Sequence, residues 1–147
     1  MTDTAPETRP ITGTWLNLFH QDRRNDYTNP TGDGPFDPEY WRTKVADYAS
    51  LGVEILVILA VVNDGRSAYA SPTRPPAYGP GPESPLDAIL GAADELGLRV
   101  FLSCGFVNDQ FDQQATQTVR EGQQEIMSEL AALYGKRPSF FGWYLPC

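Results

Sequence analysis

A parallel α/β fold follows from three observations on this sequence. Four short apolar strands recur at a spacing of about 40 to 45 residues, one amphipathic helix fills each interval, and each helix closes on a glycine. The strands start near Ile11, Val53, Arg99 and Ser139 and are rich in β-branched, leucine and aromatic residues. Strands joined by helical crossovers run parallel, because the crossover returns the chain to the same end of the sheet.

In the first interval Asp37 is placed to cap a helix, with Pro38 in the opening turn where a missing N–H costs nothing. Trp41, Val45 and Tyr48 then fall at i, i+4 and i+7 on one face before Gly52 ends the run. The second strand, Ile55 to Val62, is apolar on both faces, as a sheet covered on both sides requires. Ser84 and Pro85 repeat the capping device, with Asp87 standing where a capping-box acid belongs. Leu86, Ile89, Leu90, Ala93 and Leu96 make one stripe, closed by Gly97. The third helix is predicted from about Ala115 to Tyr134, with Val119, Ile126, Leu130 and Leu133 on one face and Gly135 after it. A fourth strand begins near Ser139 and leads into Gly142-Trp143-Tyr144-Leu145-Pro146-Cys147.

The 147 residues, 41% of them hydrophobic, with 13 glycines and 13 prolines, have the composition of one soluble globular domain with long loops. Met1 to Pro10 is read as a disordered tail ahead of a domain over residues 11–147. That tail lacks an apolar segment and carries early acids, unlike a signal or transit peptide, so a cytoplasmic location is expected. No segment approaches the roughly 20 apolar residues of a membrane helix, so no membrane association is expected. A net charge of −8, with Arg23-Arg24 as the densest positive spot, argues against nucleic acid as a partner. Cys104 and Cys147 form no disulfide framework or zinc spacing, and His20 is the only histidine, so neither a metal nor any other cofactor is expected.

Two architectures fit the strand–helix repeat. An open doubly wound sheet is complete with four or five strands, whereas an eight-stranded TIM (β/α)8 barrel takes roughly 250 residues, so this chain would be its first half. Length favours the open sheet and loop chemistry the barrel. The links from His20 to Phe36 and from Asn63 to Glu83 exceed the length, about 12 to 15 residues, above which a structureless loop is functional or disordered. All the elaboration therefore sits at the carboxyl edge of the sheet. The glycine-rich phosphate cradle of a nucleotide-binding sheet is absent after the first strand, where Asn17-Leu18-Phe19-His20 stands instead.

The carboxyl ends of the strands gather polar and aromatic groups: Trp15, Asn17 and His20, then Asn63, Asp64 and Arg66, then Asn108 and Asp109, then Trp143 and Tyr144. Aromatic faces beside amides suit a sugar, whose axial hydrogens stack on a ring while its hydroxyls need directional donors and acceptors. The proline-rich Asn63 to Glu83 loop carries Tyr69 and Tyr78 and is read as one wall of a cleft. A structural reading stands beside each assignment. The tryptophans also suit packing, the Asn-Asp pairs turn chains, and a lone strand-end histidine serves as a hydrogen-bonded contact. The acids Asp22, Asp26 and Asp33 lie in a solvated loop without the spacing of a calcium hand.

Ile11-Thr12-Gly13-Thr14-Trp15, the Leu51-Gly52-Val53 turn, Tyr69-Ala70-Ser71-Pro72 and above all Phe141-Gly142-Trp143-Tyr144-Leu145-Pro146 carry a resemblance. They resemble the bacterial domain-of-unknown-function family 4434, whose members are TIM barrels regarded as glycoside hydrolases. The resemblance implies a barrel over Ile11 to Cys147 and a carbohydrate substrate. It further implies a glutamate one or two residues after the Gly-Trp-Tyr-Leu-Pro motif as general acid/base, with the second carboxylate on a later strand. Both positions lie beyond Cys147, so no catalytic residue is assigned within the chain.

The expectation is thus the first half of a glycosidase barrel acting on oligo- or polysaccharide, inactive as given, whose partner is the remaining half of the barrel. Trp15, Asn17, His20, Asn63, Tyr69, Asn108, Trp143 and Tyr144 would be its substrate contacts. Two rivals remain: a carbohydrate-binding barrel that does not cleave, and a complete small open-sheet protein with a non-nucleotide ligand. A half barrel would expose two unpaired parallel edges and tend to self-associate.

Overall fold

A computed structural model describes residues 11–19, 37–63, 65–105 and 117–145. The expected tail over residues 1–10 lies outside them. In chain order the elements are β1 (Gly13–Leu16), α1 (Pro38–Ser50), β2 (Ile55–Ile58), β3 (Val62–Asn63), β4 (Arg66–Ser67), α2 (Pro85–Leu96), β5 (Arg99–Leu102), α3 (Gln117–Tyr134) and β6 (Phe140–Trp143). Four strands form one parallel sheet in the order β1-β2-β5-β6.

That order decides between the two architectures. A doubly wound sheet reverses direction at a switch point and places helices on both faces. Here the strands follow one another without reversal, and right-handed crossovers then put every helix on the same face. The burial of the strands agrees. Leu16, Leu56, Ile58, Val100 and Leu102, at alternate positions, are at most 3% exposed and meet the helix layer. On the opposite face Ile55, Val57 and Phe101 are only half-buried and Trp15 is exposed. The expectation of a sheet covered on both sides is therefore met on one side only among the described residues. In a closed barrel the inner face is covered by strands from across the barrel, which explains why its residues are apolar here.

The helices are built as their ends predict. The Asp37 side chain accepts from Glu39 N at 3.0 Å, and Pro38 opens α1. Around α2, Ser84 Oγ accepts from Asp87 N at 3.1 Å while Asp87 Oδ2 accepts from Ser84 N at 3.3 Å, the reciprocal capping box. Gly97 ends that helix in the left-handed conformation, φ 70°. Helix α2 lies centrally, packed along α1, with Leu86, Ala88, Ile89, Leu90, Ala92 and Ala93 all buried. Its last turn is tied to β6, since the Asp94 carboxylate accepts from Ser139 N at 2.8 Å and from Arg137 Nη1 at 3.1 Å.

Three details depart from the sequence reading. Leu96 and Leu133 are about half exposed, and Tyr134 takes the buried place expected of Leu133, because the face through Ile126 and Leu130 continues at i+4. The apolar run from Ile55 to Val62 is not one strand. Its sheet bonding ends where Leu59 N donates to Leu16 O at 2.8 Å, and Val62–Asn63 pairs instead with Arg66–Ser67 in a short antiparallel hairpin. In β6, Val100 pairs with Phe140 but Phe101 pairs with Gly142, so Phe141 is the extra residue of a bulge.

The hairpin sits tightly against the end of β5. Gly105 has φ 80°, and a Cβ there would lie 2.3 Å from Val62 O and 2.8 Å from Val62 N, an overlap of backbone that no rotamer relieves. Gly97 also has positive φ but open space around it. Gly105→Ala is therefore expected to cost about 3 kcal/mol or more, and Gly97→Ala about 1 kcal/mol, in urea unfolding.

Candidate functional site

The four strands end level. Leu16, Ile58, Leu102 and Trp143 are in register, and the ladder runs one step on through Ser103 N to Ile58 O at 3.0 Å and Tyr144 N to Leu102 O at 2.9 Å. One residue below this edge, on the face without helices, Trp15, Val57, Phe101 and Gly142 form a register row. Gly142 belongs there for a steric reason. A Cβ would stand 3.3 Å from Phe101 Cε1, so the glycine makes room for that ring.

Trp15 lies on β1 and Tyr144 just past β6, the two outermost strands, yet their ring centroids are 4.9 Å apart with planes at 71°. Outer strands of a flat four-stranded sheet stand about 14 Å apart. The rings meet because the sheet is curved, with this face concave. Trp15 is 55% exposed and Tyr144 half-buried, so the edge-to-face pair spans the concavity with open ring surface. Phe141 adds a third aromatic lower down, edge-on to Phe101 at 5.4 Å and under the Arg99 guanidinium, which also pairs with Glu54 at 3.0 Å.

Asn17 is exposed at the edge beside Trp15, and its Oδ1 accepts from Phe19 N at 3.1 Å, turning the chain out of β1. Asn63, on β3, is 9% exposed, and its Oδ1 is shut off from solvent with no hydrogen-bond partner among the described residues. Ser103 and Cys104 are buried beside the same edge, and burial pushes the Cys104 thiol up, keeping it neutral. His20, Asp64, Asn108 and Asp109 lie outside the described residues.

Two expected contacts are elsewhere. Trp143 is in register with Leu102 on the helix-facing side, half-buried, with its ring 5.2 Å from that of Phe140. The bulge at Phe141 causes this, because the extra residue puts Phe140 and Trp143, three apart, on one face. Tyr69 is fully buried, edge-on to Tyr134, and has no surface to offer a ligand. Its hydroxyl donates to Glu129 Oε2 at 2.7 Å, and burial followed by the Glu129 hydrogen bond and charge pushes the phenol well up.

Glu129 is the residue the sequence reading missed. Its carboxylate on α3 also accepts from Ser71 Oγ at 2.7 Å, Thr73 Oγ1 at 2.6 Å and Arg74 Nη1 at 3.0 Å, while Arg74 Nη2 reaches Glu125 at 2.8 Å. This clasp fixes the proline-rich loop to α3. The only signal was the Tyr69-Ala70-Ser71-Pro72 segment itself, whose acidic partner stands 58 residues beyond Ser71. An open cleft of about 290 Å³ separates residues 78–83 of the same loop from the start of α1. Its acids are engaged, Asp37 in capping and Glu83 with Arg42. No group of three metal-ligating side chains occurs among the described residues.

A curved parallel sheet with all its helices outside defines a partial α/β barrel, with an aromatic pair on its inner face at the edge where barrels carry their ligands. The chain belongs to the family described as Domain of unknown function (DUF4434), whose model matches residues 11–147. It is similar in fold to a provisionally named alpha-L-fucosidase of Bacteroides thetaiotaomicron VPI-5482, with TM-score 0.67 and 16% identity over 98% of this chain. It is similar also to the GH99 endo-alpha-mannosidase from Bacteroides thetaiotaomicron, with TM-score 0.53 and 16% identity over 90% of this chain. The chain spans 46% of the first protein's length and 41% of the second's, so in fold it corresponds to part of an α/β barrel. No curated protein matches it. Among the described residues no helix is long and apolar enough to cross a membrane.

The Glu129 clasp makes stability depend on pH. Partial burial pushes its carboxyl up, but donation from Thr73, Tyr69 and Ser71 and the Arg74 charge outweigh that and hold it below the usual carboxylate range. A depressed carboxyl contributes stability above its unfolded pKa, and the contribution is lost as pH falls through the lower folded value. Glu129→Gln is therefore expected to lower stability by about 1 to 3 kcal/mol at neutral pH and to flatten the acid limb of a Tm-versus-pH curve.

Proposed function

We propose that this chain carries part of the substrate rim of a glycoside hydrolase barrel, binding a sugar on the concave face of its sheet. The observation that carries the reading is the Trp15–Tyr144 pair. The two rings meet edge-to-face at 4.9 Å across the concavity, with Trp15 half exposed beside the Asn17 amide. An open indole face takes the axial C–H groups of a pyranose, and a neighbouring amide supplies directional bonds to its hydroxyls.

The catalytic carboxylates belong outside these 147 residues. Glycoside hydrolysis takes two acids facing each other, about 5 to 9.5 Å apart, across the scissile bond. Five of the described acids have other duties. Asp37 and Asp87 cap helices, Asp94 ties α2 to β6, Glu54 pairs with Arg99 at the amino edge, and Glu129 holds the loop. In this reading the chain binds and orients, and the rest of the barrel cleaves.

The fold neighbours are named for L-fucose and mannose glycosides, which makes methyl α-L-fucopyranoside and methyl α-D-mannopyranoside the first ligands to titrate. Either sugar is expected to shift the Trp15 and Tyr144 side-chain resonances. Trp15→Ala is expected to weaken binding about tenfold while leaving the urea midpoint nearly unchanged, since the ring is not part of the core. Absence of any shift with both sugars at millimolar concentration would remove the reading.

A further inference from the structure

One atom at the carboxyl edge breaks the rule that buried polar groups find partners. Asn63 Oδ1 is closed to solvent, accepts no hydrogen bond among the described residues, and belongs to a residue only 9% exposed. Its setting is tightly specified. The β3 backbone is fixed from one side by Gly105, whose absent side chain lets the chain approach Val62, and Gly105 N is in turn held by Ser103 Oγ at 3.0 Å. An amide carbonyl left unpartnered in so constrained a place is a local violation of the kind that clusters at functional sites.

We propose that Asn63 Oδ1 is the specificity-determining acceptor for one hydroxyl of the bound sugar. The proposal rests on the carbohydrate reading above and assigns within it the atom that tells a hydroxyl from its absence. A carbonyl oxygen only accepts, so its partner must be a donor, and a pyranose hydroxyl is one. A bound sugar that reaches the atom brings that donor with it. Reaching the atom takes a shift of the β3–β4 hairpin, in which Val62 pairs with Ser67 and Asn63 with Arg66. A buried acceptor of this kind rejects an analogue lacking the hydroxyl strongly, whereas an apolar wall barely distinguishes the two.

The test uses the 147-residue chain, methyl α-D-mannopyranoside, methyl α-L-fucopyranoside and their monodeoxy derivatives, with affinity read by NMR titration and stability by Tm. One monodeoxy derivative is expected to bind the wild-type chain at least tenfold more weakly than its parent. Asn63→Leu, close in size and without the orphaned carbonyl, is expected to bind parent and derivative equally and to melt roughly 2 to 8 °C higher. Discrimination retained by Asn63→Leu, or a lowered Tm with parent binding intact, overturns the assignment of Asn63 alone. If no monodeoxy derivative of a sugar that does bind is discriminated by the wild-type chain, the assignment also fails, whatever the fate of the variant. No binding of either parent sugar to the wild-type chain overturns the carbohydrate reading itself, and the Asn63 role with it.

Discussion

Curvature is the constraint on which the rest of this structure depends. Four parallel strands in unbroken order carry all their helices on one side, and that asymmetry bends the sheet towards the side left bare. On the convex face Leu56, Ile58, Val100 and Leu102 are sealed under α2 and its neighbours. On the concave face the same strands present Trp15, Val57 and Phe101, apolar yet uncovered. Without the bend, Trp15 and Tyr144 would belong to opposite margins of a flat sheet. With it they become one surface, and a row of unrelated strand residues acquires a floor and two walls.

Seen this way, the segment Gly142-Trp143-Tyr144 is a division of labour among three consecutive residues. Gly142 gives up a side chain so that Phe101 can lie over the strand. Trp143 anchors the strand to the helix layer beside Phe140. Tyr144 crosses the concavity to Trp15. The Tyr69-Ala70-Ser71-Pro72 segment has a comparable logic at a distance, since Tyr69 and Ser71 are two of the donors that converge on Glu129. Both segments serve to hold loops and strand ends in place at the carboxyl edge.

The sequence made the helices and their ends plain, because a cap such as Ser84 with Asp87, or Gly97 in the left-handed conformation, is a short-range matter decided within one turn. The parallel order was equally visible in the spacing of strands and helices. What stayed hidden was every feature that depends on two distant segments. Nothing local shows that Tyr69 will find Glu129, or that Asn63 will be shut away with its carbonyl unpartnered among the described residues. The unbroken apolar run of Ile55 to Val62 likewise gave no warning that the sheet ends at β1's last carbonyl and that Val62 and Asn63 fold back into a hairpin.

The bulge at Phe141 has a consequence for how such a strand stores information. A regular strand obeys strict parity, so its inside and outside are fixed by counting in twos. One unpaired residue resets the count, and everything after it reads in the opposite phase. The opposite faces taken by Trp143 and Tyr144 are therefore written neither in their own chemistry nor in the strand's length, but in a single inserted phenylalanine at position 141. That insertion acts as a frameshift in space: the amino-acid order is untouched, and what changes is which residues the barrel keeps for itself and which it turns towards its ligand.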